Sequence, residues 1–209
     1  QKIKLRQRVA IDMSNRTLET KMIDQKVSMP VAIAPTGLTG MQRADGEILA
    51  AQAAEEFGIP YTLSTMSVCS IEAVAEKTKK PFWFQLYVMK DKKFMERLID
   101  RAKEAKCSAL VLTLDLQLLG QRHKDIRNGL STPPKLIPKH VYQVLSRPMW
   151  CLRMLTTKNH FFGNIVGHVD GINDIRSLGS WIGTQFDQKL DWKEVDWIRK
   201  RWGGKLIIK

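Results

Sequence analysis

The feature that most constrains the fold of this chain is an alternation of short apolar segments with segments of helical periodicity. Apolar runs begin near residues 31, 61, 82 and 109, and helices are predicted between them over 45–57, 70–77 and 91–105. Strands joined through helices lie parallel, because a right-handed crossover brings the chain back in the same direction. The alternation therefore predicts an α/β fold built on a parallel sheet.

The segments before and after these units belong to the same domain, and the sequence predicts that this single domain is partial. Residues 1–28 mix β-prone pieces with polar turns and predict a β-ribbon that leads into the sheet. Residues 29–115 contain the first four βα units, and 116–190 form a long basic loop after the fourth strand, in which 141–145 can form a short amphipathic helix. Residues 191–209 predict a helix and a fifth strand.

The segment 108–122, SALVLTLDLQLLGQR, indicates where a binding site lies. It begins as an apolar strand, but Thr113 and Asp115 are two residues apart and therefore point to the same face. Gln85 and Tyr87 repeat this pattern on the preceding strand. Ligand sites of parallel α/β folds lie at the carboxyl ends of the strands, so these residues predict a site there. The alternative is an ordinary strand end at which Thr113 and Asp115 start a turn.

The residues at the predicted strand ends mostly offer neutral hydrogen-bonding groups of side chain or backbone, with two cations and one carboxylate. They are Pro35, Thr36, Gly37, Ser64, Gln85, Tyr87, Thr113, Asp115, Arg122 and Lys209. Neutral donors and acceptors suit the polar edge of a flat heterocycle, and a cation suits negative charge that develops on it. An arginine can hold a carboxylate through two parallel hydrogen bonds. No GxGxxG motif opens the first helix and no Walker loop occurs, so nucleotide sites of those kinds are not supported.

Charge and cysteine content indicate the kind of partner and the kind of compartment to expect. The formal net charge of +13 favours anionic partners, although it does not choose among nucleic acid, acidic lipid, acidic protein and anionic substrate. The three cysteines are far apart in the sequence, which indicates a reducing compartment, and the four histidines lack metal-ligand spacing, so no metal site is expected. No apolar run approaches the ~20 residues of a membrane span, and the N-terminus lacks the core of a signal peptide.

Five motifs, in order, resemble those of one flavoenzyme family. They are VAIAPTG (31–37), YTLSTMSV (61–68), WFQLYV (83–88), LTLD (112–115) followed by GQR (120–122), and KLIIK (205–209). Together they are similar to the FMN-dependent α-hydroxy-acid dehydrogenases and oxidases, and within that family most similar to the bacterial respiratory L-lactate dehydrogenases. The resemblance covers nearly the whole chain. It implies a TIM (β/α)8 barrel, of which this chain supplies the N-terminal part through the fifth strand.

The resemblance also implies how FMN would be held. The backbone of residues 35–37 would lie against the flavin near N5. Ser64, Gln85 and Thr113 would form hydrogen bonds with the isoalloxazine ring. Lys209 would lie near N1 and the C2 carbonyl, where its charge stabilises the anionic reduced flavin.

The implied reaction is the oxidation of an L-2-hydroxy acid, L-lactate to pyruvate, with electrons passed to the respiratory chain. Tyr87 and Arg122 would hold the substrate, Arg122 by its carboxylate, and Asp115 would orient a catalytic histidine. An oxidase or lactate monooxygenase that uses O2 would share these residues and stays an alternative. A nucleic-acid-binding module is the alternative of another class, but no motif supports it, and we expect no nucleic-acid partner.

Some family features have no counterpart in this sequence. The catalytic histidine, the second substrate arginine and the phosphate-binding segments lie, in the family, beyond the position that matches Lys209. We therefore expect a fragment that is inactive alone, rather than a complete five-stranded open sheet. Residues 116–119, LQLL, replace the proline-rich turn of many members and affect the expected shape of the substrate pocket.

The basic loop suggests a further partner. Between residues 121 and 160, one acid, Asp125, accompanies eight cationic residues: Arg122, Lys124, Arg127, Lys135, Lys139, Arg147, Arg153 and Lys158. A solvated surface is the simpler interpretation, and docking on an anionic membrane or a respiratory electron acceptor is the alternative. We expect a cytoplasmic protein, peripheral on the cytoplasmic face of the inner membrane, that forms a homo-oligomer at full length.

Overall fold

The computed structural model describes residues 4, 6–7, 9–117, 120, 123–128, 138–169, 181, 184–186 and 189–209, without the side chains of 125, 126 and 139. The elements of the described part, in chain order, are β1 (Thr20–Met22), β2 (Gln25–Val27), α1 (Thr39–Gln42), α2 (Gly46–Phe57), β3 (Thr62–Ser64), α3 (Ile71–Lys77), β4 (Trp83–Tyr87), α4 (Lys92–Glu104), β5 (Ala109–Thr113), α5 (His123–Arg127), α6 (Pro138–Leu145), α7 (Pro148–Thr156), α8 (Trp192–Trp202) and β6 (Leu206–Ile208).

Strands β3 to β6 form the central sheet in sequential order, and every neighbouring pair is parallel. Helix α3 joins β3 to β4 and helix α4 joins β4 to β5, as the alternation in the sequence predicts. The register places Ser64 opposite Gln85 and Tyr87 opposite Thr113. The predicted parallel α/β fold is therefore confirmed, and the polar carboxyl ends of adjacent strands share one edge of the sheet.

The predicted first strand, over residues 31–34, is wrong in extent. Only Ile33 pairs with its neighbour, through a single parallel bridge to Tyr61. Pro30 and Pro35 flank the segment, and proline lacks the N–H that a longer ladder would need. The segment still lies beside β3, so residues 35–37 reach the same edge of the sheet.

The two faces of the sheet bury different side chains. Phe84 and Leu110 belong to the main core, which includes apolar residues of helices α2, α3, α4 and α8. The alternate residues Trp83, Ala109 and Val111 form a second, smaller cluster. Since side chains alternate along a strand, the residues of this second face include Gln85 and Thr113, which places them opposite the main helical core.

Local capping signals set the limits of several helices. Ser70 Oγ accepts the N–H of Ala73 (3.1 Å) at the start of α3, which confirms the predicted N-cap. Asp91 Oδ1 accepts the N–H of Phe94 (2.9 Å) at the start of α4. Gly58 ends α2 in the left-handed conformation, with φ of 82°, where a residue without Cβ is favoured.

The segment predicted as a long basic loop, 116–190, contains helices α5, α6 and α7 in its described part. Helix α6 agrees with the amphipathic helix predicted near 141–145. No described helix of the chain has both the length and the apolarity needed to cross a bilayer.

The described cysteines are all free. Cys69 and Cys107 are buried, whereas Cys151 on α7 is partly exposed. Burial raises the thiol pKa of Cys107 to about 12. It also raises the pKa of Cys69, with the Glu47 carboxylate as a further cause. Both core thiols are therefore held in the neutral form.

Candidate active site

A chain of buried hydrogen bonds crosses the carboxyl ends of three neighbouring strands. Ser64 Oγ on β3 donates to Gln85 Oε1 on β4 (3.1 Å), and Gln85 Nε2 donates to Thr113 Oγ1 on β5 (3.0 Å). The three residues are 2%, 1% and 3% exposed, respectively. The parallel register produces this network, because it places Ser64 directly opposite Gln85, with Thr113 on the same face of β5.

The residues that follow β3 hold the strand end against β4. Thr65 Oγ1 donates to the carbonyl oxygen of Gln85 (2.6 Å) and accepts the N–H of Tyr87 (3.4 Å). The N–H of Met66 donates to Ser64 Oγ (3.1 Å). Ser64 Oγ therefore has both a donor and an acceptor partner, which fixes the direction of its own O–H towards Gln85.

The predicted flavin-facing backbone, residues 35–37, lies beside this strand end. The N–H of Leu38 donates to the carbonyl oxygen of Met66 (3.0 Å). A Cβ at Gly37 would lie 3.2 Å from that oxygen and 3.3 Å from Met66 Cβ. A side chain at Gly37 would therefore crowd the loop, and glycine allows the two backbone segments to approach closely.

The other predicted site residues lie around the network with different environments. Tyr87 is half-buried, and its ring meets the edge of Phe186 at a centroid distance of 6.5 Å. Lys209 is exposed, but its N–H donates to the carbonyl oxygen of Leu112 (2.8 Å), which places it at the end of the sheet. Asp115 is exposed beyond the end of β5. Arg122 lies outside the described residues.

Hydrogen bonds thus connect some of the predicted site residues, whereas others lie nearby without belonging to the same network. Among the described residues, the hydrogen bonds connect Ser64, Gln85 and Thr113, and this network does not extend to the side chains of Asp115 or Lys209. Residues 35–37 contact the β3 end through Met66 rather than through the network.

The fully buried polar side chains near the site include Glu47 and Asn164, which were not predicted from the sequence. Glu47, on α2, accepts the N–H of Val68 through Oε1 (3.0 Å), and Asn164, in the turn after α7, contacts the loop that follows β3. A signal for Glu47 was present, since it shares the helical stripe of Ala51 and Ala54, where a carboxylate is unexpected. Asn164 lies in an irregular segment whose sequence has no periodicity.

An ion pair supports the same region from outside. Arg101, which is 12% exposed, contacts Glu72 on α3 through two hydrogen bonds of 2.7 and 2.8 Å. Partial burial tends to raise the pKa of Glu72. The hydrogen bonds from Arg101, Ser70 and the local backbone, together with the positive charge of Arg101, outweigh this effect and lower the pKa from 4.5 to about 2. Arg101 Nη1 also donates to the carbonyl oxygen of Asn164 (3.1 Å).

Comparison with known proteins identifies the family. A family model described as FMN-dependent dehydrogenase matches residues 1–209. The chain belongs to this family. An L-lactate dehydrogenase of Acinetobacter baylyi is 44% identical over 208 residues, which cover 99% of this chain and 54% of that protein. An L-lactate dehydrogenase of Vibrio parahaemolyticus is 43% identical, over 99% of this chain and 55% of that protein. The chain spans about half the length of the curated relatives that it matches.

A solved structure shows the same fold. The monotopic membrane protein (S)-mandelate dehydrogenase superposes with a TM-score of 0.86 and 30% identity, over 96% of this chain and 53% of that one. A mutant of (S)-mandelate dehydrogenase superposes with a TM-score of 0.75 and 28% identity, over 98% of this chain and 52% of that one. The parallel sheet described above is accordingly part of a TIM (β/α)8 barrel.

The donor set at the strand ends fits FMN, the cofactor of this family. Ser64, Gln85 and Thr113 carry neutral hydrogen-bonding groups that can face the polar edge of a flavin ring. Gly37 lets the backbone of 35–37 approach Met66 closely, beside the same strand ends. The described residues therefore match the hydrogen-bonding chemistry of the cofactor.

Proposed function

We propose that the protein containing this chain oxidises an L-2-hydroxy acid with FMN, and that the substrate is L-lactate, converted to pyruvate. One observation carries the proposal: the buried network of Ser64, Gln85 and Thr113 lies at the carboxyl ends of three parallel strands, in a chain 44% identical to an L-lactate dehydrogenase over 99% of its length. Family membership supplies the cofactor, and the network supplies its hydrogen-bonding partners.

The three network residues bind the isoalloxazine ring. The network is already assembled, because each side chain holds its neighbour in place before the ring arrives. Such preorganised polar groups bind a ligand with less loss of conformational freedom. Residues 35–37 and Lys209 would hold the ring from the neighbouring strand ends. FMN would supply the two-electron acceptor for the oxidation of the substrate.

The remaining site residues act on the substrate. Tyr87 and Arg122 hold the hydroxy acid, Arg122 through the substrate carboxylate. Asp115 orients and charge-stabilises the histidine that takes the hydroxyl proton. The exposed position of Asp115 beyond β5, past Thr113, supports this role, because the carboxylate remains accessible to a further loop of the protein.

Anaerobic reduction of the purified natural protein that contains this chain tests the proposal. We expect a yellow protein whose visible flavin absorbance is bleached by L-lactate but not by D-lactate. A protein that purifies without FMN and cannot be reconstituted with it would contradict the proposal. Bleaching by (S)-mandelate but not by L-lactate would retain the chemistry and change the substrate.

Reoxidation of the reduced protein identifies the electron acceptor. We propose a dehydrogenase that passes electrons to the respiratory chain, and we expect slow reoxidation by O2 and fast reoxidation by a soluble quinone. Fast reoxidation by O2 would instead indicate an oxidase or monooxygenase. Formation of a homo-oligomer remains a prediction.

We also propose that helices α6 and α7 dock the protein on the cytoplasmic face of the inner membrane. Apolar side chains project from them into solvent: Tyr142 is 73% exposed, Leu145 70%, Met149 60%, Leu152 56% and Leu155 81%. Exposed apolar side chains beside cations are typical of surfaces that bind anionic bilayers. The similarity to a monotopic membrane protein supports this proposal.

The orientation of α7 agrees with such a surface. Its Trp150 points towards the protein, since Nε1 donates to the carbonyl oxygen of Met41 (3.0 Å). Thr157, just after the helix, donates through Oγ1 to Asp45 Oδ1 (2.7 Å). These contacts anchor one side of α7 on the fold and leave Leu152 and Leu155 exposed.

Flotation with phosphatidylcholine vesicles containing phosphatidylglycerol tests the docking surface. We expect the double variant Arg147→Glu, Arg153→Glu to lose most of its vesicle binding, because both cations flank the apolar side chains. The matched control reverses two exposed lysines of α8, Lys193→Glu and Lys200→Glu, and should float like the wild type. Equal flotation of all three proteins would refute the proposal.

A further inference from the structure

Asn164 is a buried side chain outside the predicted site whose amide oxygen and nitrogen both have hydrogen-bond partners. It is fully buried. Its Nδ2 donates to Ser67 Oγ (2.9 Å) and to the carbonyl oxygen of Ser64 (3.3 Å). Its Oδ1 accepts the N–H of Ile71 (2.9 Å) and a long contact from Arg101 Nη2 (3.4 Å). A primary amide has two donor hydrogens and two acceptor lone pairs, so all of its hydrogen-bonding capacity is used.

Two partners of Asn164 lie at the two ends of one loop. Ser64 is the last residue of β3, and Ile71 is the first residue of α3. The amide therefore bridges the loop from the flavin-facing strand end to the start of the next helix. Breaking one of these contacts leaves a buried polar group unpaired, which costs more than the bond itself contributes.

The backbone beside Asn164 is fitted to the same loop. The N–H of Gly163 donates to the carbonyl oxygen of Val68 (3.0 Å). A Cβ at Gly163 would lie 2.8 Å from that oxygen and 2.8 Å from the nitrogen of Ser70. Only glycine allows this close approach, so the turn and the loop are matched in shape as well as in hydrogen bonding.

We propose that Asn164 is a positioning residue for the flavin site. By holding the carbonyl oxygen of Ser64, its amide fixes the end of β3, and with it the Ser64 hydroxyl that donates to Gln85. Asn164 belongs to the basic segment after β5, which thereby sets the geometry of a strand end distant in sequence. This inference rests on the proposed function, because it takes FMN as the ligand of Ser64.

Asn164→Asp distinguishes the acceptor contacts of this side chain from its donor contacts. Aspartate is close in shape and keeps an acceptor for Ile71 and Arg101, but it loses both donor hydrogens. A carboxylate oxygen would then face the carbonyl oxygen of Ser64, and two acceptors at this distance repel each other. The variant therefore disturbs the strand end, while Arg101 favours the new charge and the start of α3 is retained.

The experiment compares Asn164→Asp, Asn164→Ala and Asn159→Ala in the natural protein that contains this chain. Asn159→Ala is the matched control, because Asn159 lies in the same segment but bonds Asp45 instead of the β3 end. FMN is titrated into the apoprotein, and hydrogen exchange of residues 64–70 is followed by mass spectrometry. Ser67→Ala removes the acceptor of Asn164 Nδ2 together with the donor to the carbonyl oxygen of Cys69 (2.7 Å), and it provides a second test if the Asn164 variants do not fold.

We expect Asn164→Asp to raise the FMN dissociation constant about tenfold, since a loss of about 1.4 kcal/mol corresponds to that factor. Exchange of the 64–70 amides should accelerate by a similar factor. Ser67→Ala loses two hydrogen bonds but keeps the one from Asn164 to the carbonyl oxygen of Ser64, and it should raise the dissociation constant about threefold. Asn159→Ala should stay within about twofold of wild type for FMN binding and for exchange at 64–70.

Two results would overturn the inference. One is unchanged exchange of residues 64–70 in Asn164→Asp and Ser67→Ala, which would show that Asn164 does not hold the loop. The other is faster exchange with unchanged FMN affinity, which would make Asn164 a structural residue only. A wild-type protein that binds no FMN would instead refute the proposed function, and the exchange data would still decide whether Asn164 holds the β3 end.

Discussion

Replacing Gln85 with leucine should remove the centre of the buried network with little change in volume. Two hydrogen bonds are lost, to Ser64 and to Thr113, each of which contributes about 1 kcal/mol net. The Ser64 hydroxyl hydrogen is also left without its acceptor in a site that is 2% exposed, and such a group adds a penalty of about 1–3 kcal/mol. Since leucine regains part of this by apolar burial, we expect a net loss of about 2–3 kcal/mol.

Urea denaturation of the apoprotein measures this loss, and a double-mutant cycle isolates its cause. The N–H and Oγ1 of Thr65 both donate to the backbone carbonyl oxygen of Gln85 and do not involve its side chain, so β3–β4 pairing should survive the substitution. Combined with Ser64→Ala, Gln85→Leu should show a coupling of about 1 kcal/mol, because each single variant already breaks their shared hydrogen bond. FMN affinity should fall in both single variants. Strict additivity, or a Gln85→Leu protein as stable as wild type, would refute the reasoning.

Other expected effects concern the ion pair, the core and a helix cap. The folded-state pKa of Glu72 is about 2 and its usual value is 4.5, so its stabilising contribution is complete above pH 4.5 and is lost as the pH falls towards 2. Arg101→Gln should therefore flatten the dependence of stability on pH in this range. The effect is reduced because Glu72 is half-exposed and solvent screens the ion pair. Phe94→Ala should cost about 3–5 kcal/mol in thermal or urea unfolding, whereas the exposed Phe57→Ala should change stability by less than about 0.5 kcal/mol. Ser70→Ala should cost about 1 kcal/mol, and Ser70→Asp should restore most of it; equal stability of both with wild type would contradict the capping role.

The elements whose limits depend on local chemistry could be predicted from the sequence. Ser70 and Asp91 cap their helices through their own side chains, and Gly58 ends α2 because the backbone needs a positive φ there. The strand-end residues Gln85 and Thr113 were also predictable. A polar residue on one face of an otherwise apolar strand is visible in the alternation of the sequence.

Features that depend on distant partners could not be predicted in this way. Asn164 contacts Ser64, 100 positions earlier in the chain, and nothing in its neighbourhood signals that contact. The strand at Ile33 was overestimated for a different, local reason. Its apolar run predicted a longer strand, and the flanking prolines limit the pairing. The helices within 116–190 likewise pack through side chains such as Trp150 that reach other parts of the fold.

The three free thiols differ in reactivity, so a dye can be attached selectively at one of them. Cys69 and Cys107 are buried with raised pKa values, so neither forms an appreciable amount of thiolate at neutral pH, and the thiolate is the form that attacks thiol-directed reagents. Cys151 is the partly exposed thiol of the described chain, and it lies on α7. A polarity-sensitive maleimide dye would therefore label the described part of the chain at this helix, and its emission would follow the transfer of α7 from water to lipid without any engineered cysteine.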